Sequence, residues 1–71
     1  MSDKQVVIHV RFAPNGTVTE IGERPLNLTP QQWFDRLSQR AANSYRAFAG
    51  GRGVFRLDRG EVDKLKEAAP N

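Results

Sequence analysis

Seventy-one residues with a net charge of +3 and no cysteine make one domain, 1–71, near the lower size limit at which a single core holds without a staple. No disulfide or thiolate zinc site can form, and one histidine cannot supply the imidazole pairs of common metal centres, so neither a metal nor a cofactor is implied. The N-terminal MSDKQ lacks a signal-peptide pattern and no apolar run approaches a membrane span, which makes a cytoplasmic setting without a membrane partner the expectation.

The first element in chain order is QVVIHVRF, 5–12, a β-branched stretch expected as the central strand. Val6, Ile8, Val10 and Phe12 alternate onto one face, while Val7, His9 and Arg11 point to a partly polar face that meets water. A turn follows at Ala13-Pro14-Asn15-Gly16. A four-residue loop avoids asking Pro14 for a ladder N–H, sets Ile8 opposite Ile21 and places His9 across from Glu20. The alternative is a three-residue loop with a bulge at Gly16, which turns Val18 inward. The second strand, 17–23, is more polar and suits an edge, and Pro25 ends it.

Residues 29–51 read as one long helix. Thr29 serves as N-cap, Pro30 suits the first helical position, and Gln32 completes a capping box. Phe34, Leu37, Ala41, Tyr45 and Phe48 recur at helical spacing, Trp33 borders that stripe, and Gly50-Gly51 supply the stop. Leu28, before the cap, is placed to staple onto Trp33 or Phe34. A third strand, 54–57, puts Phe55 and Leu57 on one face and Val54 and Arg56 on the other. Asp58-x-x-Glu61 then caps a short helix carrying Val62, Leu65 and Ala69 and ending before Pro70. The expected fold is a two-layer α+β domain of order β-β-α-β-α. Its antiparallel sheet has three strands in the order 2-1-3, covered on one face by both helices.

Charge is unevenly placed. Between residues 35 and 59 six arginines face only Asp35 and Asp58, and arginine binds phosphate and carboxylate in a bidentate fashion. The plain explanation, a solubilising bias, competes with a binding patch. Catalysis is discounted: the lone histidine sits on a strand, with no cysteine beside it and no evident orienting group, and His9 near Glu20 reads as a surface cross-strand pair. The Gly50-Gly51-Arg52-Gly53 run lacks the Lys-Ser/Thr ending of a phosphate loop and reads first as a helix stop.

The expected function is therefore a small non-enzymatic binding or regulatory module. It acts through contacts with a protein partner at Trp33, Arg36, Arg40 and Tyr45, with a homodimer as one option. The alternative is a nucleic-acid-binding accessory protein using Arg36, Arg40, Arg46, Arg52 and Arg56. Arg52, Arg56 and Arg59 join a helix-flank patch only if the third strand exposes its Arg56 side near that flank.

Overall fold

The computed structural model describes residues 5–67. In chain order the elements are β1 (Gln5–Phe12), β2 (Val18–Ile21), α1 (Pro30–Ala41), a 3₁₀ turn (Ala42–Ser44), β3 (Tyr45–Phe48), β4 (Arg52–Asp58) and α2 (Arg59–Glu67). The strands form one antiparallel sheet ordered β2-β1-β4-β3. The expected α+β architecture holds, but the sheet has four strands rather than three.

The extra strand comes from the second half of the expected long helix. That helix stops at Ala41, and Tyr45–Phe48 pairs with β4. The period of three and four that continued through Tyr45 and Phe48 is also compatible with a turn followed by a short strand. Asn43 and Ser44 are poor helix formers, and an aromatic such as Tyr45 fits a sheet face well. Gly50 and Gly51 both take positive φ, 83° and 72°, and serve as a hairpin turn between β3 and β4 rather than as a helix stop.

α1 begins as its cap residues require: Gln32 N–H donates to Thr29 Oγ1 at 3.1 Å and Thr29 N–H to Gln32 Oε1 at 2.9 Å. Its buried stripe is Trp33, Leu37 and Ala41, with Phe34 half-buried beside it, one residue away from the stripe read in the sequence. Leu28 joins the same core. Below the helices, Ile8 and Val10 of β1 and Phe55 and Leu57 of β4 are buried, and Val62 and Leu65 of α2 complete the layer. Ala69 and Pro70 lie outside the described residues.

The β1–β2 hairpin adopts the three-residue loop. Ala13 N–H donates to Thr17 O, Gly16 N–H to Ala13 O, both at 2.8 Å, and Gly16 has φ 91°. A bulge at Thr19 follows, so Val10 faces Ile21 and Phe12 faces Val18. Val18 and Ile21 both turn to the core, which the four-residue loop with Ile8 opposite Ile21 would not have allowed. The consequence for the polar face is a change of partner: Arg11, not His9, stands across from Glu20.

Candidate nucleic-acid interface

Both helices pack on one side of the sheet, and no described element covers the opposite side. Strand alternation and the pairing register decide what it carries. β1 contributes Val7, His9 and Arg11; β4 contributes Arg52, Val54 and Arg56; β3 contributes Arg46 and Phe48. Arg46, Arg52 and Arg56, expected from the sequence as binding residues, therefore share one face with Arg11, which the sequence puts on the polar side of β1 without marking it as a binding residue. The signal for Arg11 was its parity on β1. Only the order of the strands shows that β4 lies beside it.

Across this face run two mixed rows. In the first, Glu20, Arg11, Arg52 and Phe48 lie side by side; in the second, His9, Val54 and Arg46 do. The Cα partners Arg11 and Arg52 place two guanidinium-bearing side chains directly opposite each other, an arrangement that costs stability in a free sheet. Glu20 approaches Arg11 only at 3.9 Å and both side chains are largely exposed, so that pair offsets little. Among the described residues no carboxylate forms an ion pair with Arg46, Arg52 or Arg56.

Apolar surface interrupts the charge. Phe48 is 48 % exposed, and Val7 is similarly open. An open depression of about 630 Å³ is lined by His9, Arg11, Phe48, Arg52 and Val54. A second, of about 520 Å³, is lined by Tyr45, Arg46, Phe48, Val54 and Arg56. Phe48 and Val54 border both, so one aromatic ring stands between two arginine-lined hollows. Such a surface can stack a planar group on Phe48 and hold anionic oxygens on either side.

The remaining sequence candidates lie elsewhere. Trp33 is fully buried, and its Nε1–H donates to the Gly22 carbonyl at 3.0 Å. It closes the core instead of presenting a contact plane, because a tryptophan whose N–H meets a backbone acceptor can be buried whole. Arg36 and Arg40 line a groove on α1 with Leu28, Gln32, Asp35 and Gln39, on the helix side of the sheet. Arg52 and Arg56 belong to the opposite side, so they do not join Arg36 and Arg40 on the helix flank. Tyr45 belongs to an aromatic cluster, its ring 5.7 Å from Phe34 and 4.8 Å from Phe55, and desolvation raises its hydroxyl pKa.

Arg59 is engaged in a different task. It donates to Glu23 at 2.8 Å and to Asp63 at 3.0 Å, and Lys66 also binds Glu23. Hydrogen bonds from Arg59 and then Lys66 hold the Glu23 carboxyl at about 2. This network ties the loop after β2 to α2 and is structural. No helix is long and apolar enough to cross a membrane among the described residues. Comparison with protein-family models, curated proteins and solved structures yields no match.

Proposed function

We propose that the chain is a non-enzymatic binding module that takes single-stranded nucleic acid on its open sheet face. The observation that carries this reading is the direct opposition of Arg11 and Arg52 beside exposed Phe48. Two like charges held across a ladder are unfavourable alone, and a phosphate between them turns that repulsion into two charge-assisted contacts. Phe48 supplies the stacking plane that single-stranded binders combine with a basic groove, and Arg46 and Arg56 extend the charge along the strand. An open sheet face with an exposed aromatic ring suits unpaired bases, whereas a duplex groove is read by an inserted helix or ribbon.

Binding through a protein partner, the first expectation from the sequence, draws less support, since Trp33 is in the core and Tyr45 is packed among aromatic rings. The experiment is fluorescence anisotropy of labelled single- and double-stranded oligonucleotides over a range of salt. Saturable binding that favours the single strand and weakens steeply as salt rises supports the reading. Failure to bind either form at low salt overturns it.

A further inference from the structure

The two edges of the sheet differ in whether they can accept another strand. At β2 the edge is interrupted: Val18 N–H donates to a side chain, Gln31 Oε1, at 2.9 Å, and the bulge at Thr19 breaks the bonding phase that an added strand would follow. At β3 no described group outside the ladder bonds to the backbone of Arg46, Ala47 or Phe48.

Which groups β3 presents follows from the bonding phase of the sheet. Phe12 N–H donates to Gly51 O at 2.8 Å and Gly22 N–H to His9 O at 3.1 Å. The even residues of β1 therefore bond towards β4, and the odd residues of β4 bond back. Arg52 and Val54 then bond towards β3, where their partners are Phe48 and Arg46. That leaves the N–H and C=O of Ala47 and the C=O of Tyr45 pointing outward, while Tyr45 N–H is already bonded to Ala42 O.

We infer that β3 pairs with β3 of a second copy of this chain, antiparallel about a two-fold axis at Ala47. An isologous pairing has few possible centres. Centring on Arg46 sets two arginines directly opposite, and centring on Tyr45 demands an N–H that is already bonded. Centring on Ala47 lets the two alanines exchange a pair of backbone hydrogen bonds and turns the Tyr45 carbonyl towards Ala49 of the second copy. On the open face it sets Arg46 beside Phe48 of the second copy, twice, so each guanidinium meets an aromatic ring instead of another cation. The result is one eight-stranded sheet, its basic face continuous across the two-fold axis. A contact of this size forms a weak, transient dimer. The inference rests on the backbone of β3 and holds whether or not nucleic acid binds.

The test is sedimentation velocity on the full chain, without nucleic acid, from low to high micromolar concentration. A reversible monomer–dimer equilibrium is expected. Ala47→Pro removes an N–H that β4 does not use, which an edge strand tolerates. It is expected to weaken the dimer roughly tenfold or more while leaving the circular dichroism of the monomer unchanged. Phe48→Glu, which gives Arg46 a carboxylate partner across the axis, is expected to retain the dimer and make it salt-sensitive. The chain has no cysteine of its own, so Ala47→Cys reads the register directly: it crosslinks to itself under mild oxidation, whereas Arg46→Cys does not. A wild-type chain that stays monomeric throughout overturns the inference. So does a dimer that survives Ala47→Pro, or one that crosslinks through Arg46→Cys and not through Ala47→Cys.

Discussion

The ring of Tyr45 lies directly over Gly53, so closely that a Cβ built on Gly53 would stand 2.3 Å from the Tyr45 hydroxyl and 2.7 Å from its ring carbons. Gly53 is buried in the middle of β4, and its bare backbone leaves the space that the aromatic ring fills. Tyr45 cannot swing away freely, because Phe34 and Phe55 pack against it. Gly53→Ala is expected to destabilise the fold by about 2–3 kcal/mol in chemical denaturation. In a Tyr45→Ala background the same change should cost less than about 1 kcal/mol, since the steric conflict is gone. Equal costs in both backgrounds would show that the ring is not the cause.

Trp33 joins the core to the loop after β2 through its bond to Gly22. Trp33→Phe removes both volume and the donor, leaving the Gly22 carbonyl without its partner. A loss of about 2–3 kcal/mol is expected from urea unfolding. Being fully buried, Trp33 should emit at short wavelength in the native chain and show no spectral shift when oligonucleotide is added. A red-shifted native emission would contradict its burial.

Glu23 gives the fold a defined acid limb. Its carboxyl lies at about 2 in the folded chain against an ordinary 4.5, so the unfolded chain binds the proton first as pH falls. The stabilisation is fully present above pH 4.5 and disappears as pH drops towards 2. Its size is about 1–2 kcal/mol once solvent screening of these partly exposed side chains is allowed for. Unfolding free energies measured between neutral and acid pH should show this slope, and Glu23→Gln should flatten it. An unchanged slope in that variant would assign the acid limb to other carboxylates.

Arg52 sits at the point where stability and binding oppose each other. Arg52→Thr relieves the opposition to Arg11 and places a β-branched residue on the strand, so the free chain should gain about 0.2–1 kcal/mol. The same variant should bind single-stranded oligonucleotide more weakly and reduce the slope of log affinity against log salt by about one. Arg11→Ala should lower that slope similarly, whereas Arg36→Ala and Arg40→Ala, on the helix side, should leave it unchanged. If the helix variants alter the slope and the sheet variants do not, the interface belongs on α1.

Much of this fold was legible along the chain because the deciding interactions are local. The alternation of Val6, Ile8, Val10 and Phe12, the capping box of Thr29 and Gln32, and the inward facing of Phe55 and Leu57 each depend on neighbours within a few residues. They stand in the structure as the sequence indicates.

Tertiary structure decided what depends on distant partners. A period of three to four at Tyr45 and Phe48 suits a helix or a turn and strand alike, and it is the pairing with β4, where bare Gly53 leaves room for the Tyr45 ring, that makes the segment a strand. The hairpin register turned on whether Val18 could be buried beneath α1, and the bulge at Thr19 made that compatible with burying Ile21. The location of the arginines was settled last. Six of them between residues 35 and 59 are legible as a charge excess, but a strand sends alternate side chains to opposite faces. Which of them gather depends on the order β2-β1-β4-β3, which sets Arg52 beside Arg11 and keeps Arg36 and Arg40 on the other side of the sheet.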